Sequence, residues 1–292
     1  MTFNDNARID TSKVQRRKGG RAAMVGGGTL IGALVLFVAS QLLGVDLTPL
    51  AGMMSNGNEQ SSSQVTELEN CTTGADANAD DNCRMAAAAD SLDVFWADQF
   101  DSGYRQPGVV LYTGSTDSAC GTASNAVGPF YCPSDESIYV DTDFFATLRS
   151  DFGATAGPLA QMYVLAHEWG HHISNITGDL AQVGNDTGAA SGSVRLELQA
   201  DCYAGAWVRD ASTTVASNGT TFMQPVTTDE IRDALNAAAA VGDDNIQQRA
   251  GQRVNPDAFS HGSSEQRQRW FATGFEQGAN ACDTFSVPAS SL

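Results

Sequence analysis

The stretch Tyr163–Asn175, YVLAHEWGHHISN, contains three of the four histidines of this 292-residue chain. On an α-helix, His167 and His171 are four residues apart, so both imidazoles project from one face and can bind one tetrahedral metal ion. Glu168 lies one position further round, where it can reach a metal-bound water without being a ligand. The spacing therefore predicts a hydrolytic metal site whose general base is Glu168.

A catalytic zinc site needs a third protein ligand. The metzincin pattern requires glycine and histidine at the positions that Ser174 and Thr177 occupy, which excludes that class. The stretch RLELQADCYAG offers Glu197, 26 residues after His171, as the glutamate that a thermolysin-type site takes from a second helix. Asp201, one turn later, is expected to accept the N–H of a ligand histidine and fix its tautomer. Two histidines and a glutamate favour Zn²⁺.

Hydrophobic periodicity and capping residues predict helices along most of the second half of the chain. They cover residues 83–100, 158–174 and 194–210 (with Ser193 as N-cap), and two more begin after Thr227 and Ser263. Short β-rich runs at 108–112 and 137–141 precede most of them, and the second, SIYVD, is either an edge strand for a peptide or simply structural. Strands followed by helices indicate an α+β fold with a small antiparallel sheet.

The cysteines are even in number and follow the apolar segment described below. They are Cys71, Cys83, Cys120, Cys132, Cys202 and Cys282. In an oxidising compartment six cysteines suggest three disulfides. Short spacing favours Cys71–Cys83 and Cys120–Cys132, which leaves Cys202–Cys282. A cysteine zinc site would need CxxC spacing, and none is present.

Charge divides the chain unevenly around an apolar segment. Residues 1–21 carry a net charge of +4, residues 46–292 a net charge of −22, and residues 22–45 are uncharged. Such an acidic protein repels nucleic acid. The 24 uncharged residues can span a bilayer as a helix, and the basic flank predicts a cytoplasmic N-terminus. A signal peptide cleaved near VAS at 38–40 is the alternative.

These features predict a cell-membrane protein with a single span and an extracytoplasmic domain. The expected divisions are a cytoplasmic basic tail over 1–21, a transmembrane helix over 22–45, a polar linker over 46–82 and a metallopeptidase domain over 83–292. The oligomeric state has no signature in the sequence.

Four stretches closely resemble the bacterial neutral zinc metallopeptidase family. They are HEWGHH, SVRLELQADCYAG, FSHGSSEQRQRWFATGFEQG and FYCPSDESIYVDTDFF, and the resemblance covers about residues 83–285. It implies a thermolysin-like zincin, usually with an N-terminal membrane segment. It also implies that His167, His171 and Glu197 are the metal ligands and that Glu168 is the catalytic base.

Two histidines lie outside this ligand set. His172 is about 100° round the helix from His171, so we expect it to contact a neighbouring group or solvent rather than the metal. By the resemblance to thermolysin-like enzymes, His261 would stabilise the oxyanion of the tetrahedral intermediate. Alternatively, His261 is a loop residue beside a helix, and Arg267 or Tyr203 polarises the carbonyl.

The sequence thus predicts a membrane-anchored zinc metalloendopeptidase-like hydrolase acting on peptides or proteins. The metal would activate water, and Glu168 would move its proton. The alternative is an envelope-anchored binding or scaffold protein that keeps the zincin fold and its metal but turns over little substrate. A zinc hydrolase acting on cell-wall peptide bridges is a third, chemically similar possibility.

Overall fold

The computed structural model describes residues 2–18, 64–66, 68, 70–124, 127–184 and 186–292, with the backbone alone for residues 18 and 64–66. The strands are β1 (Val14–Lys18), β2 (Gln64–Thr66), β3 (Gly108–Thr113), β4 (Ser115–Ser118), β5 (Gly121–Ser124), β6 (Phe130–Cys132) and β7 (Ser137–Asp141). The α-helices are α1 (Gly74–Ala79), α2 (Asp81–Gln99), α3 (Phe144–Ser150), α4 (Pro158–Thr177), α5 (Gly192–Asp210), α6 (Thr228–Ala240), α7 (Asp243–Arg249) and α8 (Ser264–Gln277). The mixed α+β composition agrees with the sequence prediction.

The main sheet has five strands in the order β2-β1-β3-β7-β6. Its central pairs, β1 with β3 and β3 with β7, are parallel, whereas β2 and β6 are antiparallel at the two edges. The prediction of an antiparallel sheet is therefore wrong for the three central strands. Parallel neighbours need long connections, and here helices or further strands separate each pair along the chain.

The edge strand nearest α4 is β6. SIYVD forms β7, which lies between β3 and β6 and is not an edge. The possibility that SIYVD is an edge strand is therefore wrong. The strand propensity of a segment gives no information about its position in a sheet. Strand β6 contacts α4, the helix that carries HEWGHH.

The helices begin where capping chemistry predicts, with one correction. Pro158 is the first residue of α4, and Thr227 and Ser263 form capping boxes at the starts of α6 and α8. Helix α5 begins two residues earlier than expected. Its N-cap is Ser191, which accepts from the N–H of Val194, rather than Ser193.

Three disulfides connect the six cysteines as predicted. Cys71–Cys83 fixes the segment before α1 to α2, and Cys120–Cys132 fixes the β4–β5 hairpin to β6. Cys202–Cys282 joins α5 to the chain beyond α8. The longest of the three loops, closed by Cys202–Cys282, encloses α6, α7 and α8.

Residues 2–18 pack against the rest of the fold, which differs from the predicted division of the chain. Phe3, Ala7 and Ile9 are buried, and β1 belongs to the main sheet. The last part of the predicted linker is also folded, since α1 and the Cys71 disulfide precede residue 83. The basic residues of the segment 1–21 and the apolar residues 22–45 that follow it do not indicate this packing.

The predicted membrane helix over 22–45 lies outside the described residues. Within the described ranges, no helix combines the length and the apolar character needed to cross a bilayer. The membrane anchor therefore stays a prediction.

Helices α5 and α8 approach closely because glycines lie at their contact. A Cβ atom on Gly274 would lie 1.8 Å from the carbonyl oxygen of Cys202, and one on Gly205 would lie 2.0 Å from that of Phe271. Neither position has room for a side chain. The contact holds α8, and with it Arg267, against the helix that carries Glu197.

Replacing Gly274 with alanine should destabilise the protein. Alanine favours a helix by about 1 kcal/mol over glycine, but separating the helices should cost about 1–3 kcal/mol. We expect a lower Tm for Gly274→Ala in thermal unfolding of the purified chain. Thr273→Ala, at the adjacent position, is the matched control and should change Tm little. An unchanged Tm for Gly274→Ala would contradict the close helix contact.

Candidate metal and catalytic site

Two helices, α4 and α5, carry the residues of the predicted site. Gly170 lies within HEWGHH, and a Cβ atom there would lie 2.8 Å from Cα of Ala200. This glycine lets the two helix backbones approach closely enough for short side chains to meet. The ELQAD stretch of α5 therefore faces the histidines of α4.

The predicted ligand atoms converge at this contact. Nε2 of His167 lies 3.2 Å from Oε2 of Glu197, and Nε2 of His171 lies 3.5 Å from Oε1 of the same carboxylate. One ligand atom from each residue lies within 4.8 Å of the others. Metal–ligand bonds of about 2.0–2.1 Å in a tetrahedron separate neighbouring ligand atoms by about 3.3 Å. The three residues therefore fit a single zinc-sized ion.

Asp201 orients the first histidine. Its Oδ1 lies 2.8 Å from Nδ1 of His167 and also accepts from the hydroxyl of Tyr163. Because a carboxylate only accepts, Nδ1 of His167 carries the hydrogen and Nε2 is left as the ligand atom. The structure thus brings Asp201 to the position expected from its spacing after Glu197.

Arg267 balances the buried carboxylates. Its Nε and Nη2 donate to the two oxygens of Asp201 at 2.7 and 3.0 Å, and its Nη2 lies 3.7 Å from Glu197. All three side chains are almost fully buried. Buried carboxylates are stable only when paired and hydrogen-bonded. Arg267 therefore stabilises Asp201 and Glu197, and its guanidinium is engaged by them rather than available to polarise a substrate.

The pKa values of the ligand residues follow from these contacts. Burial lowers the pKa of His171 to about 4. Burial also opposes a charge on His167, but the charge and hydrogen bond of Asp201 outweigh it and raise its pKa to about 10. Although burial opposes its charge too, the neighbouring histidines hold the pKa of Glu197 well below its usual range. An ionised carboxylate is a donor for a divalent cation, and binding of the cation would release the second proton that a pKa of about 10 leaves on His167.

Glu168 lies on the cavity wall next to this ligand set. Burial raises the pKa of its carboxyl group to about 7. The backbone of Tyr131 on β6 lies beside that carboxyl group and partly offsets this rise. A carboxylate with a pKa near neutrality is suited to accept and return a proton at that pH.

His261 lines the same cavity and is held by a residue that the sequence interpretation missed. Its Nδ1 lies 3.0 Å from Oδ1 of Asp243, and Oδ2 of Asp243 accepts from the backbone N–H groups of Ser260, His261 and Gly262. Asp243 is the first residue of α7, just after Gly242. No fixed spacing links Asp243 to His261, so only the folded chain reveals the pair.

His172 is fully buried and lies away from the ligand atoms. Its Nε2 lies 2.6 Å from the carbonyl oxygen of Arg105, so this nitrogen donates, and its Nδ1 accepts from the hydroxyl of Tyr131 at 3.0 Å. Asn175 also donates to that hydroxyl. This geometry agrees with the expectation that His172 contacts a neighbouring group rather than the metal. The sequence did not indicate that the neighbouring groups are Arg105 and Tyr131.

A cavity of about 290 Å³ connects these groups. His167, Glu168, His171, Glu197, His261 and Arg267 contribute its polar atoms, and apolar walls come from Phe130, Phe144, Val164, Leu180, Leu196 and Ile246. Tyr203, the other candidate for carbonyl polarisation, is not among its lining residues. Tyr203 packs edge-on against Trp96 with ring centroids 5.1 Å apart, so its role is structural.

The fold and the site together define a mixed α+β protein with a three-residue metal-binding group beside a buried carboxyl group. Comparison with known families gives the same class, since the profile described as "putative neutral zinc metallopeptidase" matches residues 3–285. The chain belongs to this family. The match begins at residue 3, so it includes the N-terminal segment that packs against the sheet.

Relatives align over almost the whole chain. Rv2575 of Mycobacterium tuberculosis and Mb2605 of Mycobacterium bovis are each 46% identical over 291 residues, covering 98% of this chain and 99% of the relative. YpfJ of Escherichia coli K12 is 37% identical over 303 residues, with the same coverage. All three are described as uncharacterized proteins. No solved structure matches the chain.

Removing Glu197 should weaken zinc binding strongly. Loss of an outer partner of a metal ligand costs about 10–100-fold in affinity, so Glu197→Ala should lose more than that and Asp201→Asn should fall in that range. Competition with a chromophoric chelator measures both. Glu265→Ala removes an exposed glutamate of α8 and is the control. Stoichiometric, tightly held zinc in Glu197→Ala would place the third ligand elsewhere.

Proposed function

We propose that the protein is a zinc-dependent peptidase that hydrolyses peptide bonds. The observation that carries this proposal is the convergence of His167, His171 and Glu197 on one wall of a cavity in which Glu168 is the adjacent buried carboxyl group. A binding protein has no use for that carboxyl group. The zincin class, inferred from the motif and its ligand set, fits the same residues.

The ligand set would hold Zn²⁺, which supplies Lewis-acid activation of water and of the scissile carbonyl. His167, kept in one tautomer by Asp201, would contribute Nε2, while His171 and Glu197 would complete the protein ligands. The apolar walls exclude bulk water, which strengthens the electrostatic interactions inside the cavity.

Glu168 would act as the general base and then as the general acid. The carboxylate would accept a proton from the attacking water and return it to the leaving amine. Glu168 lines the cavity beside the ligand set, within reach of such a water. The water oxygen becomes bonded to the carbonyl carbon, and the C–N bond breaks as the amine is protonated.

His261 would stabilise the charge that develops on the carbonyl oxygen. The Asp243 carboxylate raises the pKa of His261 against the effect of burial, so the imidazole is a good donor near neutral pH. Its Nδ1 is occupied by Asp243, which leaves Nε2 for the substrate. Arg267 donates to Asp201, so we assign the oxyanion role to His261 rather than to Arg267.

The substrate would lie as an extended chain along β6. Within the described part of the chain, β6 is the end strand of the main sheet next to β7, and both Phe130 and Tyr131 line the cavity. An extended peptide in the cavity would contact the side chains of this strand. We propose this role for β6 in place of the SIYVD strand.

We also propose that the protein works outside the cytoplasm and is attached to a membrane. The three disulfides, typical of an oxidising compartment, support export. The apolar residues 22–45 support membrane attachment.

Replacing Glu168 with glutamine should abolish hydrolysis without removing zinc. The amide keeps the shape of the side chain but cannot accept the proton, and we expect a loss of at least about 100-fold in kcat. Chelator-sensitive cleavage of casein and a peptide panel measures activity, and metal analysis measures zinc. Glu276→Gln, on the exposed face of α8, is the control. Full activity of Glu168→Gln would contradict the mechanism.

The same assay separates the peptidase from the binding or scaffold alternative. A peptidase cleaves at least one peptide in a chelator-sensitive manner, whereas a scaffold that retains zinc cleaves none. Cell-wall peptide bridges belong in the panel because the chemistry of their hydrolysis is the same.

Replacing His261 with alanine should lower kcat by about 100-fold, since removal of one oxyanion donor costs about that much. KM and zinc content should change little, because His261 is not in the ligand set. Asp243→Asn should have a smaller effect, through a less well oriented imidazole. Asp257→Ala changes an exposed residue nearby and serves as the control. Unchanged kcat in His261→Ala would transfer the oxyanion role to another group.

A further inference from the structure

The N-terminal segment, residues 2–18, is built into the described fold. Phe3 is 2% exposed, Ala7 0%, Ile9 7% and Val14 8%. β1 pairs with β3 in parallel from Val14 opposite Val109 to Lys18 opposite Thr113. A separate tail on the far side of a membrane could bury none of these side chains.

Specific hydrogen bonds fix the first residues of this segment. The N–H of Asn4 donates to the carbonyl of Phe222 at 2.9 Å, and the side chain of Asn78 both accepts from and donates to the backbone of Phe3. Gly74 leaves the space that this arrangement needs, because a Cβ atom there would lie 1.9 Å from the carbonyl oxygen of Asn4. The packing of the first residues therefore depends on particular residues both in the segment and in the part of the fold that it contacts.

One basic residue of the segment, Arg17, also has partners in the fold. Arg17 donates from Nη1 to the carbonyl of Asp117 at 3.1 Å, and its guanidinium lies 6.0 Å from the ring centroid of Tyr139. Residues 46–292 carry a net charge of −22, so a segment with net positive charge is attracted to them. The basic cluster has an electrostatic explanation that does not require the positive-inside rule.

Both ends of the chain between β1 and β2 lie on neighbouring strands. Lys18 is opposite Gln64 in the antiparallel β1–β2 pair. Adjacent strands are about 4.8 Å apart, whereas the hydrocarbon core of a bilayer is about 30 Å thick. A chain that crossed a bilayer once between Lys18 and Gln64 would separate the two strands by the whole membrane.

We propose that residues 2–18 are the first strand segment of the catalytic domain and lie on the same side of the membrane as the active site. This proposal replaces the cytoplasmic N-terminus that the positive-inside rule predicts, and it does not depend on peptidase activity.

Thiol labelling of the full-length protein in cells with an intact inner membrane tests the proposal. All native cysteines are paired, so Ser12→Cys and Asp229→Cys each introduce one thiol, at exposed positions of the segment and of α6. We expect an impermeant maleimide to label both variants before permeabilisation, or both only after it. Labelling of one before and the other only after would place them on opposite sides and overturn the proposal.

A disulfide trap tests docking itself. Arg8 and Thr73 form an antiparallel bridge flanked by the bonds Ile9 N–H to Thr72 O and Gly74 N–H to Ala7 O. Such a pair has Cα atoms about 4.5 Å apart, within disulfide range. We expect most of the Arg8→Cys/Thr73→Cys double variant to become cross-linked, as shown by mass spectrometry of the linked peptides. Each single variant is a control and should lack the link. A double variant that keeps its native disulfides but never cross-links would contradict docking.

Discussion

The close contact of α4 with α5 at Gly170 is the constraint on which the site depends. Any side chain at this position would meet the backbone of Ala200. Since Glu197 is one turn before Ala200, the distance between the helix axes sets the distance from its carboxylate to the histidines. Ligand separations of 3.2 and 3.5 Å are compatible with one ion only while the helices remain this close. The glycine between Glu168 and His171 thus has a structural role within the motif.

Charge balance imposes a second constraint on the same helices. Glu197 and Asp201 are both buried, and the cost of removing two carboxylates from water must be offset by partners. Arg267 supplies a positive charge from α8 and reaches both residues. Helix α8 in turn contacts α5 through Gly205 and Gly274, which let the backbones meet. The glycines at the two helix contacts therefore serve one purpose: they bring the ligands together and bring the counter-charge to them.

The sequence predicts those parts of the site whose geometry is local. The i, i+4 spacing of His167 and His171, and that of Glu197 and Asp201, determines which side chains share a helix face whatever the rest of the chain does. Asp243 could not be predicted because its contact with His261 depends on how α7 packs, and no periodicity encodes that. The packing of residues 2–18 against the sheet could not be predicted for a related reason, since their buried apolar positions are sparse and lie among basic residues.

The sequence also could not reveal how the edge strand β6 is positioned beside Glu168. Tyr131 lines the cavity together with Glu168, while its hydroxyl bonds to His172 and Asn175 on another face of α4. The strand proposed to receive the peptide and the carboxylate proposed to move the proton are therefore held by the same helix. His172 is adjacent to a ligand in the sequence but about 100° away round the helix. That angle lets one turn of α4 place His167 and His171 at the cavity on one face and contact β6 on the next.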